Sequence, residues 1–182
     1  QGAAVGAENI LCVTLGTGVG CGIISDGKIV HGHRGYAGEI GHFTTVVNGG
    51  ARCNCGKFGC LETVASATGI VRLAYEKIQD GATGALKMIM NETGKITAKD
   101  VLDAAKEKDR FAMDVVYEAM NHLGFALGNL ANVLNPELII IGGGVSKAGD
   151  FLLQIVRNSA TPFMIPSVKE TTKIALATLG ND

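Results

Sequence analysis

The run H-x10-C-x-C-x4-C, made by His42, Cys53, Cys55 and Cys60, constrains this chain more than any other feature. Three thiols and one imidazole within nineteen residues form a complete Cys3His set, the tetrahedral donor set of a structural zinc site. Thiolate donors favour zinc over magnesium or calcium. With four protein ligands no position is left for water, so the ion is expected to hold the backbone rather than activate a nucleophile. The intervening Asn54, Gly56, Lys57, Phe58 and Gly59 suit a tight loop closing round a small ion.

Two acids flank the set: Glu39 lies three residues before His42 and Glu62 two residues after Cys60. A purely structural loop has no use for them. Carboxylates and an imidazole together can exchange hydrogen bonds with several hydroxyls of a polyol, and a ligated His keeps its second ring nitrogen for such a bond. The plainer alternative is a solvated loop acid and a helix-start acid favoured by the dipole.

At 182 residues, 47% hydrophobic and 18% charged, the chain has the make-up of one globular domain with a real core. A net charge of -1 speaks against nucleic acid or an anionic membrane surface as partner. Five cysteines, three of them at metal spacing, indicate a reducing, cytoplasmic compartment rather than a disulfide scaffold. Of the other two, Cys12 reads as a small core residue and Cys21 as packing beside a turn. No apolar run approaches the ~18 residues of a membrane span. The chain opens at Gln1 rather than Met and stops at Asp182, which reads as a piece of a longer protein.

Gly at 26 positions is well above the ~7% typical and forecasts tight turns. Asn9 to Leu15, Cys21 to Ser25 and Lys28 to His31 read as a three-stranded meander, turning at Gly16–Gly20 and at Asp26-Gly27. Phe43 to Val47 is a candidate fourth strand. Helices are expected over 61–80, broken near 66–69, from a Thr97–Asp100 capping box to about 106, and over 111–134. Asn135-Pro136 stops the last of these. Glu137 to Ile141 has the continuous apolar character of a buried parallel strand. A helix over 148–159, a loop punctuated by Pro162 and Pro166, and a strand over 173–177 complete an α/β domain with a mixed sheet.

Two glycine turns carry chemistry. Gly16-Thr17-Gly18-Val19-Gly20 joins two strands, and its backbone N–H groups and Thr17 hydroxyl could cradle an anion; a Gly-rich turn between strands is more often just a turn. It is neither a Walker loop nor a dinucleotide fingerprint. Gly142-Gly143-Gly144 follows a buried strand, where open α/β sheets take ligands; close helix–strand packing is the alternative. The Gly124–Gly128 spacing reads as helix packing.

Taken together, Glu39-Ile40-Gly41-His42 resembles the E-x-G-H motif of the ROK family of sugar kinases and repressors. Cys53 to Glu62 resembles that family's C-x-C-G-x-x-G-C-x-E, and the two glycine turns fall in its order. The resemblance implies an actin/hexokinase-like (ribonuclease H-like) fold with an inserted zinc loop over 42–60. It implies transfer of the γ-phosphate of ATP, with Mg2+, to a hexose, most like glucose phosphorylation by a bacterial glucokinase, in a homodimer. By the same resemblance Glu39, His42 and Glu62 hold sugar hydroxyls, with His42 also binding Zn2+. Gly16, Thr17 and Gly18 face the phosphates, and Gly142, Gly143 and Gly144 lie near the adenosine. The family's catalytic base is an Asp shortly before the phosphate turn, whereas residues 1 to 8 hold none. The chain is therefore expected to be the large domain alone, without the small N-terminal domain and last helix, and to bind but not turn over. An N-acetylmannosamine or fructose kinase, or a sugar-responsive repressor, is the alternative.

Overall fold

A computed structural model describes residues 2–178. Five strands form one mixed sheet in the order β3-β2-β1-β4-β5. They are β1 (Ile10–Leu15), β2 (Val19–Ser25), β3 (Lys28–Ile29), β4 (Leu138–Gly142) and β5 (Lys173–Leu176). The first three make the antiparallel meander expected from the sequence, and β4 and β5 add in parallel. Asp26 and Gly27, at φ 50° and 71°, take the left-handed pair that a tight hairpin requires.

Alternation along β1 sends Leu11, Val13 and Leu15 to one face, where with Ile139 and Ile141 of β4 they join the main core. Helices cover that face: α1 (Glu62–Ala65), α2 (Ala67–Gln79), α3 (Ala85–Thr93), α4 (Ala98–Lys106), α5 (Arg110–Leu134), α6 (Asp150–Ala160) and α7 (Pro166–Thr171). The spine is α5, in which Val115, Val116, Ala119, Leu123 and Leu127 are fully buried. Its two glycines let α6 and the following turn close in. A Cβ on Gly124 would stand 2.5 Å from the Ser159 Cβ, and one on Gly128 would stand 2.6 Å from the Phe163 Cβ. The packing role read from their spacing holds.

The opposite face carries a smaller cluster, Ile10, Leu138 and Ile140, with Ala3, Ala4 and Ala7 laid on it. Cys12 belongs there and is half-buried, not a core residue as its apolar neighbours suggested. Cys21 packs against the main core, where burial pushes its thiol up to about 12.

Three sequence expectations need correction. Phe43 to Val47 is not a strand: Thr44 makes a single bridge to Cys60, and the N–H groups of Thr45 and Val46 both go to the Gly59 carbonyl. The stretch after Pro162 is not a plain loop, since Pro166 sits in the first turn of α7, where its missing N–H costs nothing. And α3 was not foreseen. It starts after Gly84 without a local side-chain cap, and the carboxylate of Asp109, at the start of α5, accepts from the Ala85 N–H at 2.8 Å instead. No helix among the described residues is long and apolar enough to cross a membrane.

Candidate metal and ligand site

The parallel register of β1 and β4 pairs Thr14 with Gly142, so both glycine turns emerge side by side at the carboxyl ends of neighbouring strands. That is the ligand-binding edge of an open α/β sheet. Gly143 has φ 88° and ψ 178°, a conformation essentially reserved for glycine. A Cβ there would stand 2.5, 2.7 and 2.8 Å from the O, C and N atoms of Leu15. The turn after β4 is thus seated against the backbone that leads into Gly16.

The E-x-G-H segment docks on β2 as a 3₁₀ turn, Ile40–His42. Ile40 is buried, and a Cβ on Gly41 would run into the Val19 carbonyl. This close approach places Glu39 and His42 at the cleft. Glu62 arrives from the other side at the start of α1, anchored by fully buried Leu61. One cavity of about 420 Å³ is lined by Thr14, Gly16, Gly18, Val19, Gly20, Glu39, His42, Glu62, Gly143 and Gly144. His42 Nε2 is 3.7 Å from Glu39 Oε2, and His42 Nδ1 is 3.8 Å from Glu62 Oε1.

Two expected residues are not on this wall. Gly142 is the buried end of β4 and borders a cavity on the other side of the sheet, with Cys12 and Ala177. Thr17 borders a neighbouring cavity of about 390 Å³, together with Arg52, Asn54, Thr68 and Arg72. Gly18 and Glu62 border both cavities.

His42, Cys53, Cys55 and Cys60 converge as the spacing implied, each offering a donor atom within 4.8 Å of the others. The loop is a miniature hairpin. The Cys53 N–H donates to the Lys57 carbonyl at 2.8 Å, the Gly56 N–H to Cys53 at 3.0 Å, and the Gly59 N–H to Ala51 at 2.9 Å. Lys57 Nζ donates to the His42 carbonyl at 2.7 Å and ties the hairpin to the E-x-G-H turn.

The set fits zinc. Two thiolates at ~2.3 Å from a tetrahedral ion stand about 3.8 Å apart, and the Cys55–Cys60 sulfur separation is 3.6 Å, with Cys53 Sγ 3.6 Å from His42 Nδ1. Nδ1 is the nitrogen that would face a bound metal, while Nε2 lies 3.7 Å from Glu39 Oε2. Burial pushes the Cys53 thiol up to about 12, and its hydrogen bond to Glu62 Oε1 at 3.0 Å adds to the rise. Cys55, exposed, is lowered by the Lys57 backbone N–H.

A further cavity of about 310 Å³ was not foreseen. Apolar Ala67, Ala98, Leu102, Val145 and Ala148 wall it beside Gly144, with Lys99, Asp103, Lys106 and Lys147 at its edges. Its only sequence trace is Gly144; the other walls are distant in the chain and meet through packing of α4 on the turn after Gly143.

Residues 1–182 match the model of the ROK family. A glucokinase of Halalkalibacterium halodurans is 53% identical over 100% of this chain and 55% of its own length. The DNA-binding transcriptional repressor Mlc of Escherichia coli is 32% identical over 99% of this chain and 43% of its own. Among solved structures, a ROK family glucokinase from Streptomyces griseus in complex with glucose and AMPPNP superposes with a TM-score of 0.85 at 33% identity, over 98% of this chain and 58% of that one. The chain spans about half the length of the curated relatives it matches.

Proposed function

This chain belongs to the ROK family, and from that premise we propose that it is the large domain of a hexose kinase, with glucose its sugar. The observation that carries the reading is the single cleft that joins Glu39, His42 and Glu62 to the two glycine turns. In it the carboxylates accept, and His42 Nε2 exchanges, hydrogen bonds with sugar hydroxyls. The backbone of Gly16 to Gly18 and of Gly143 receives the phosphates of ATP, and the apolar cavity beside Gly144 takes the base. Zinc, when bound by His42, Cys53, Cys55 and Cys60, supplies a rigid closed site rather than a reactive water. His42 is then fixed in tautomer and ring plane while it contacts sugar. Mg2+ would accompany the nucleotide, as phosphoryl transfer generally requires.

The cleft's two carboxylates are assigned to sugar hydroxyls. The base that takes the proton from the attacking hydroxyl is accordingly assigned to the part of the protein outside residues 1–182. The free thiols fit a cytoplasmic setting.

Calorimetric titration of the zinc-loaded chain tests this. Glucose and AMPPNP should each bind, while glucose with ATP should yield no steady glucose 6-phosphate. Absence of glucose binding would overturn the sugar assignment, and steady turnover would overturn the assignment of the base elsewhere. A second reading, the effector domain of a sugar-responsive repressor, is supported by the identity to Mlc. It requires the sugar contacts alone, so glucose binding without AMPPNP binding would favour it.

A further inference from the structure

The phosphate-facing turn is held from behind by the first turn of α2, whose Ala67 also walls the apolar cavity assigned to the base. The Ala67 N–H, one of the free donors at a helix start, donates to the Gly16 carbonyl at 2.8 Å. The Thr68 hydroxyl donates to the Thr17 carbonyl at 2.8 Å. Beneath it, buried Ser66 caps α2, accepting from the Gly69 N–H at 3.0 Å. Ser66 Oγ also lies 2.6 Å from the Glu62 carbonyl and 2.9 Å from Thr68 Oγ1. Two hydroxyl protons serve three oxygen contacts. The Thr68 proton goes to Thr17, whose carbonyl has no other donor among the described residues.

A trans peptide is planar, with its C=O and N–H on opposite sides. Pinning the Gly16 carbonyl toward α2 therefore aims the Thr17 N–H the other way, and pinning the Thr17 carbonyl aims the Gly18 N–H the other way. Neither N–H has an acceptor among the described residues, and Gly18 lines the cleft that it shares with Gly16 and Gly143. A Cβ on Gly18 would stand 2.8 Å from Glu62 Oε2, so the same turn abuts the sugar-side carboxylate.

We propose that Thr68, seated on Ser66, is a positioning residue for the nucleotide: its hydroxyl orients the Gly18 N–H toward the phosphates. The inference rests on the nucleotide half of the proposed function. Thr68 is exposed, so water competes for its hydrogen bond and the effect is moderate.

The test compares Thr68→Val with Thr68→Ser in the zinc-loaded 182-residue chain, titrated with AMPPNP, adenosine and glucose. Thr68→Val should weaken AMPPNP by about three- to tenfold and leave adenosine and glucose within about twofold, since neither carries the phosphates. Thr68→Ser, which keeps the hydroxyl, should restore AMPPNP affinity. Unchanged AMPPNP affinity in Thr68→Val would overturn the positioning role while leaving the nucleotide reading intact, and so would equal losses for all three ligands. A wild-type chain that ignored AMPPNP would overturn the nucleotide reading, and this inference with it.

Discussion

Replacing Gly143 by Ala separates backbone geometry from ligand contact at the turn after β4. The residue sits at φ 88°, ψ 178°, where a side chain costs about 1–3 kcal/mol of conformational strain. The new Cβ would also stand 2.5 to 2.8 Å from three backbone atoms of Leu15. Those atoms belong to β1 and cannot swing aside like a flexible side chain, so a further 1–3 kcal/mol or so of overpacking is expected. Together the loss is about 4 kcal/mol. At roughly 2–4 °C per kcal/mol for a chain of this size, that is a fall in Tm of about 8–16 °C. Gly144 is the control. A Cβ there meets nothing within 4 Å, so Gly144→Ala should change stability by no more than about 0.5 kcal/mol. Because Gly144 borders the cleft, that variant should weaken AMPPNP all the same. Thermal melts followed by far-ultraviolet circular dichroism, with AMPPNP titrations on the folded variants, decide the matter. A Gly143→Ala melt within 2 °C or so of wild type, or a Gly144→Ala variant equally destabilised, would refute the reasoning.

Other consequences follow from the same geometry. The chain should hold one equivalent of zinc; Cys55→Ala should lower both zinc and glucose affinity by tenfold or more, while Cys12→Ala leaves both unchanged, as read by metal-indicator competition and calorimetry. Gly124→Ala should destabilise by about 1–2 kcal/mol in urea melts, although Ala is the better helix former by ~1 kcal/mol, because the methyl group meets Ser159 on α6; a stabilised variant would contradict the close packing. Glu137 accepts from the N–H groups of Glu8 and Asn9 at 2.7 and 2.9 Å, which hold its carboxyl below the usual 4.5. Its folded pKa is depressed, so its contribution is fully present above about 4.5 and fades as pH falls through the lower folded value. Glu137→Gln should therefore flatten that acid limb in Tm measured against pH, and an unaltered limb would count against the assignment.

The readable parts of this protein were those whose physics is local. Leu11, Val13 and Leu15 alternate with a period of two and took their places on one sheet face. The Thr97–Asp100 capping box formed as its spacing required, with both reciprocal bonds present. The unreadable parts depended on distant partners. The start of α3 is capped by Asp109, twenty-four residues away, so no cap was visible beside Gly84. Phe43 to Val47 has strand-like residues, but the N–H groups of Thr45 and Val46 were taken by Gly59. Thr68 drew no notice because its partner, Thr17, is fifty-one residues away.

By itself the sequence determined which donors could hold a metal and where backbone without a Cβ was needed. Ligand chemistry and glycine conformation are properties of single residues at short spacing. Only the tertiary structure decided that the E-x-G-H turn, Glu62 and both glycine turns open onto one cleft, with the thiol hairpin on the neighbouring cavity. The same packing turned Gly142 out of that cleft and left Thr17 on the neighbouring cavity. The physical reason is the parallel register of β1 on β4: residues some 128 positions apart, Thr14 and Gly142, become neighbours only when the strands between which α1 to α5 are inserted hydrogen-bond side by side.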